Sequence, residues 1–216
     1  MNPRTLLTLG AIAGPLYVVA GLAQALTRDG FDLTKHAWSL LSNGDLGWIQ
    51  IANFLVAGVL TVLGAIGLRN VLIGIYGVSL IGAGIFRADP AQGFPAGTTT
   101  DTMSWHGTLH FMVGGIGFLC LIAACVVLGR RYLAAGRRGW AWFSWITGFV
   151  FLAGFAGIAS GSHGPTTIGF VVAVVLAWTW VTSVFWTSRY ERLVAPTKPV
   201  TPVTANETNA IGTAKK

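Results

Sequence analysis

The chain has 216 residues, of which 53% are hydrophobic and only 10% charged. A soluble domain carries about 25% charged residues, so this composition excludes an ordinary water-soluble globule. The formal net charge of +7 does not indicate nucleic acid, because phosphate binding needs a contiguous basic face, whereas here the Lys and Arg residues sit in short gaps between apolar runs. The partner implied is the lipid bilayer.

Six apolar runs follow one another, and about 20 such residues cover the hydrocarbon core of a membrane. The first is Leu6–Leu26. Ala23-Gln24-Ala25 resembles a signal-peptidase site, but the apolar stretch exceeds the usual length of about 7–15 residues and contains Pro15, so it reads as a span. The second run is Gly47–Leu68 and the third, shortest one is Val71–Ala88, separated only by Arg69 and Asn70, which predicts a tight helical hairpin. Trp105–Leu128, Trp140–Ala159 and Thr167–Thr187 complete the set.

Within these runs, Gly10/Gly14 and Gly157/Gly161 have the small-xxx-small spacing of closely packed membrane helices. Cys120 and Cys125 are five residues apart on one run and point about 140° away from each other, so they do not bridge. Trp48 and Trp105 mark one set of run ends, and Trp140, Trp142 and Trp186 the other, as indoles do at headgroup level.

Basic residues set the orientation. With the amino terminus inside, the inner gaps and tail hold Arg4, Arg69, Arg130, Arg131, Arg137, Arg138, Arg189, Arg192, Lys198, Lys215 and Lys216, and the outer gaps only Arg28, Lys35 and Arg87. That asymmetry is the positive-inside pattern. The expected architecture is therefore all-α: a polytopic transmembrane bundle in the cell membrane, residues 1–194, with six spans and both termini in the cytoplasm. Residues 195–216 are rich in Thr, Pro and Ala, lack aromatic residues and are expected to form a disordered cytoplasmic tail.

In this topology every histidine falls on the outer side. His36 lies in the first outer loop, His106 and His110 at the outer end of the fourth run, and His163 in the last outer loop, joined by Asp29, Asp32, Asp45, Asp89 and Asp101. His106 and His110 are four apart, about 6 Å along one helix face. That spacing suits a transition metal such as zinc, with His36, Asp89 or His163 as a further ligand. A zinc-protease helix would carry Glu after the first His as base; Gly107 stands there, which excludes the protease. The alternative for the pair is structural, each ring bonding to neighbouring loops.

Other polar residues gather at the same end. Gln50 and Asn53 share a face of the second run, are costly against lipid and are expected to turn inward and bond between helices. Ser39 follows His36 by three positions, which allows a Ser–His pair, but no Gly-x-Ser-x-Gly elbow surrounds it. Ser39 and Ser42 equally suit caps of short turns, and Asp89 before Pro90 suits a turn start.

The sequence resembles the prokaryotic membrane-protein family known as domain of unknown function 998, from the first run to the sixth. The resemblance is carried by Ala13-Gly14-Pro15, by His36 with Ser39-Leu40-Leu41-Ser42, and by Gly47-Trp48-Ile49-Gln50-Ile51-Ala52-Asn53-Phe54. Gly84-Ile85-Phe86, Asp89-Pro90, Gly93, Pro95 and His106-Gly107 with His110 complete it. The chain departs from the family at Ala37 and Arg87-Ala88, near which prolines are common in the family. The resemblance implies six spans and an integral membrane location, and no reaction.

Three functions fit these residues. One is an outward-facing, metal-dependent hydrolase or transferase acting on a lipid or envelope molecule, with His106 and His110 at its centre. Another is a binding or transport protein whose outer cavity receives a small ligand. The third is an accessory subunit that docks a protein partner through exposed Phe31, Trp38 and Phe94.

Overall fold

A computed structural model of the protein describes residues 1–98, 103–161 and 164–194. Six α-helices make up almost all of it: α1 (Pro3–Thr27), α2 (Gly47–Leu68), α3 (Val71–Ile85), α4 (Trp105–Ala134), α5 (Arg138–Ala159) and α6 (Gly164–Val194), with a 3-10 helix at Trp38–Ser42 between α1 and α2. The carboxyl-terminal tail expected from residue 195 onward, and His163, lie outside the described residues.

Short polar residues set the helix ends. Asn2 accepts the Arg4 amide, with Pro3 at the first helical position, where a missing N–H costs nothing. Arg69 closes α2 in the left-handed region, and Asn70 at once caps α3 by accepting the Ile73 amide. Those two residues form the tight hairpin that the gap length predicts. Across it, a Cβ on Gly77 would lie 2.9 Å from the Val62 amide nitrogen and one on Gly58 would lie 2.8 Å from Gly77 O, so the two backbones are in near contact.

Five helices (α1, α2, α4, α5 and α6) are long and apolar enough to cross a membrane; α3, with 15 residues, is shorter. At 1.5 Å per residue it spans about 22 Å, against about 30 Å of hydrocarbon. Hydropathy carries the third run to Ala88, but the helix stops at Ile85, where its terminal carbonyls meet another donor, described below. The outward side chains are apolar: Val19, Val56, Val78, Ile116, Phe149 and Val172 are all exposed. A water-soluble protein does not present such a belt. The chain is a multi-pass membrane protein.

The helices form a closed ring. Each packs on its neighbours in sequence, and α6 returns to α1. Glycine permits the closure: a Cβ on Gly10 would lie 2.7 Å from Gly64 Cα of α2 and 2.8 Å from the Phe185 ring of α6, and one on Gly14 would overlap Thr182 of α6. The Gly10/Gly14 spacing therefore is helix packing, whereas Gly157 makes only ordinary contact, 3.4 Å, with Thr166. Cys120 and Cys125 are both free thiols.

The two ends of the ring differ in chemistry. Arg4, Arg69, Arg130, Arg131, Arg137, Arg138 and Arg189 lie at the α2–α3 and α4–α5 turns and the neighbouring ends of α1, α4 and α6. There Arg137 pairs with Glu191 and stacks over Tyr132 and Trp140. At the opposite end residues 28–46 and 86–98 fold over the ring as a lid.

Candidate functional site

The lid is built on backbone groups. Arg28, just past the end of α1, donates to Leu41 O and Asn43 O, both at 2.6 Å, and its guanidinium stands 5.1 Å from the Phe94 ring centre. Burial lowers the Arg28 pKa, and Asp45 partly offsets the effect. Five donors in a planar fork let one side chain hold two carbonyls of one turn. Phe31 meets Phe94 edge-on, and the His36 ring packs against both, 5.2 and 5.5 Å from the two centroids, to complete a three-ring cluster. Trp38 and Phe94 are buried, so the expected exposed aromatic docking face is instead the inside of the lid. Aromatic residues in a loop are ambiguous in sequence; only the opposing loop decides whether they are covered.

His36 is buried and both its ring nitrogens are engaged. Nδ1 accepts the Asp32 amide at 2.9 Å, which requires Nδ1 to be unprotonated, so Nε2 carries the proton and donates to Gln92 O at 3.1 Å. Gln92 has φ 54°, a left-handed conformation rare for a residue other than glycine, and that conformation belongs to the turn that offers its carbonyl to His36. His36 therefore staples one half of the lid to the other.

Asp89 is similarly occupied. Oδ2 accepts the Ser104 amide and Oδ1 the Ser104 hydroxyl, both at 2.6 Å, and the Ser104 hydroxyl in turn accepts the Gly107 amide as N-cap of α4. A carboxylate at a helix amino terminus is favourably placed against the helix dipole. A side chain at 107 would overlap Asp89 Oδ2. The glycine that stands where a zinc protease has Glu is the seat of a carboxylate from another loop.

His106 and His110 part company. His106 is exposed, its ring 3.6 Å from that of Trp105, beside a shallow hollow of about 330 Å³ that it shares with Arg87, Asp89 and Ser104. His110 is buried, and its Nδ1 faces Phe86 O at 2.7 Å and Ala83 O at 3.2 Å. These are end carbonyls of α3, which lack helical partners of their own. Since carbonyls only accept, Nδ1 is the protonated nitrogen, and the ring serves as a C-terminal cap for α3. Among the described residues no three His, Cys, Asp or Glu side chains gather as a metal-holding group.

Gln50 and Asn53 turn inward as expected. Gln24 of α1 donates to Gln50 Oε1 at 2.9 Å, and Asn53 donates to Tyr17 O at 3.1 Å, tying α1 to α2 beneath the lid. Gln24 is missed by sequence reasoning because it sits alone in an apolar run; only its spacing from the end of α1 signals it. Ser42, not Ser39, makes the turn bond, donating to Ser39 O at 2.7 Å.

Inside the ring, under the lid, is a cavity of about 100 Å³. Every helix contributes to its wall, largely with aromatic rings: Tyr17, Phe54, Tyr76, Phe118, Phe151 and Trp178. Ser39, Ser79 and His110 are its other polar residues, and among the described residues no Asp, Glu, Lys or Arg lines it. Phe111, which is 62% exposed, also lines it, so the cavity reaches the outer surface of α4. The eight candidate residues thus divide: Ser39 and His110 at the cavity, Asp89 and His106 at the hollow, His36 within the lid, Gln50 and Asn53 between α1 and α2, and His163 outside the described residues.

A family model described as "Protein of unknown function (DUF998)" matches residues 11–187. No curated protein and no solved structure matches the chain.

Proposed function

The chain belongs to the DUF998 family, and from that premise we propose that it is a six-span protein, termini inside, that binds a lipid-like molecule in the cavity under its lid. The observation that carries the reading is an aromatic-walled cavity, reached past the exposed Phe111 of α4, with few polar groups on its wall. Such walls suit a largely apolar ligand fixed by a small number of hydrogen bonds. Arginines at the end opposite the lid support the orientation, because they are retained in the cytoplasm. The hairpin with α2 supports α3 as a sixth, short span, since its backbone is satisfied against protein.

Gly114 provides the test. It lines the cavity, and a Cβ there meets nothing within 4 Å, so Gly114→Leu starts from open space and extends into the cavity. Wild-type protein purified in mild detergent should carry a stoichiometric lipid detectable by native mass spectrometry, and the variant should lose it while keeping its melting temperature. Equal lipid content in both would overturn the reading. For the orientation, Lys35→Cys should react with an impermeant maleimide from outside the cell and Gly136→Cys should not.

One observation favours a hydrolase or transferase as the second reading: Ser39 and His110 line the same cavity. There His110 would act as base toward Ser39 or a ligand hydroxyl. Turnover of a lipid ester that Ser39→Ala abolishes would promote this reading over simple binding. A zinc-dependent form would draw on His106, His110 and one of His36, Asp89 or His163. His36 and Asp89 would first have to release their bonds to the lid and to Ser104.

A further inference from the structure

We infer that the ligand of this cavity is an uncharged lipid bearing a free hydroxyl, held by a hydrogen bond to His110 Nε2. The inference rests on the lipid-binding reading above and sharpens it to a chemical class. Two features on the page fix that class.

The first is the tautomer of His110. Phe86 O and Ala83 O both face Nδ1, and two carbonyls accept only if the nitrogen between them bears the proton. A neutral imidazole has one N–H, so Nε2 is left with a lone pair. It lies on the far side of the ring from α3 and has no hydrogen-bond partner among the described residues. An acceptor in a largely apolar wall gains from a ligand that brings it a donor. On the same wall the Trp38 and Trp178 Nε1–H groups lack acceptors among the described residues, so the cavity asks for a group that donates and accepts at once, as a hydroxyl does. A ketone, ether or quinone carbonyl accepts but brings no proton to His110 Nε2.

The second is that no charged side chain lines the wall among the described residues. An ammonium or guanidinium donor would be stranded with no carboxylate to pair, and a phosphate head would face aromatic rings with no Arg or Lys. A neutral O–H is the donor that such a site accepts, and the indole N–H groups of Trp38 and Trp178, which lack acceptors, belong to the same wall and can complement the ligand oxygen's lone pairs. Diacylglycerols and prenols share this chemistry: one neutral hydroxyl on long apolar chains.

The test uses the full chain in lipid nanodiscs and a diazirine-bearing hexadecanol, with crosslinks mapped by mass spectrometry. Labelling should fall on α4 near Phe111–Gly115 and on the facing wall. Unlabelled hexadecanol should then displace the probe roughly five- to tenfold better than hexadecyl methyl ether, which keeps the oxygen but lacks the donor. Equal displacement by alcohol and ether would overturn the hydroxyl assignment while leaving lipid binding intact; no labelling of the wall would overturn both. His110→Phe should bind alcohol and ether alike. Should that variant fail to fold for want of the α3 cap, the alcohol–ether pair on wild-type protein still decides. Dioleoylglycerol and geranylgeraniol as competitors separate the two lipid sources, and failure of both to compete would sink the assignment.

Discussion

The carboxylate of Asp89 occupies the space that a side chain at Gly107 would need. It reaches there from the connection after α3 and holds Ser104, so that the serine can cap the amide of the same Gly107. Three residues from two segments thus make one helix start, and the absence of a β-carbon is the condition for it.

Gly107→Ala should therefore destabilise the protein more than a helix-favouring substitution suggests. Alanine gains about 1 kcal/mol in helix propensity, but overlap with Asp89 forces the carboxylate off Ser104 and costs about 1–3 kcal/mol by overpacking, plus about 1 kcal/mol for a weakened cap. A melting temperature in detergent several degrees below wild type is expected. Asp89→Ala should lower it too, and the double variant should fall short of the sum, because both changes break one contact. Full additivity would mean that the two residues act independently.

His36→Phe keeps a ring against Phe31 and Phe94 but removes the bonds to the Asp32 amide and Gln92 carbonyl. Both bonds are only part-buried, so each lost bond costs about 0.5–1.5 kcal/mol. Hydrogen exchange should rise in residues 31–43 and 88–96 while the central turns of α5 and α6 stay protected. Uniform loss of protection would show that the lid is inseparable from the ring.

Closure of the ring should be most sensitive at Gly14. A Cβ there overlaps the Thr182 hydroxyl and lies 2.9 Å from Trp178 O, so Gly14→Ala must push α1 from α6 at a cost of about 1–3 kcal/mol. Thr182→Ala in the same chain should restore part of the loss, because the Trp178 carbonyl remains in the way. Gly139→Ala, whose Cβ meets nothing within 4 Å, should be neutral or slightly stabilising. Thermal unfolding of the four proteins ranks them.

Asp32 sets the acid limit of the lid. The Thr34 hydroxyl and amide bond its carboxylate and hold its pKa below the ordinary value of 3.8, with Lys35 3.6 Å away as a lesser aid. A depressed folded pKa adds stability that is fully present above the unfolded value and is lost as pH falls through the folded one. The Asp32 turn should thus hold at pH 5 and loosen only below 3.8. The carboxyl carbon shift of Asp32 measured by NMR should titrate below that value, and Thr34→Val should move the midpoint up. An unmoved midpoint would remove Thr34 as the cause.

Much of the fold is legible in the sequence because burial in lipid is a property of each run by itself. The α2–α3 hairpin is explicit in Arg69-Asn70, and the inward turn of Gln50 and Asn53 follows from the cost of polar groups against hydrocarbon. The His106–His110 pair is where such reasoning stops. Spacing of four gives a shared face, yet one ring is exposed beside Trp105 and the other caps α3. No spacing rule contains the end of a different helix.

Sequence alone determined that this chain enters a membrane, where its long apolar runs begin and end to within a few residues, and which connectors are rich in arginine. Those are one-body quantities: each run meets lipid or water whatever its neighbours do. Tertiary structure decided that the helices close into a ring around an aromatic cavity, that α3 stops short of its apolar run, and that His36 and Asp89 serve the lid and a helix cap. Those outcomes depend on backbone donors and acceptors brought from segments far away in the chain, and a polar atom's role is fixed only when its partner arrives.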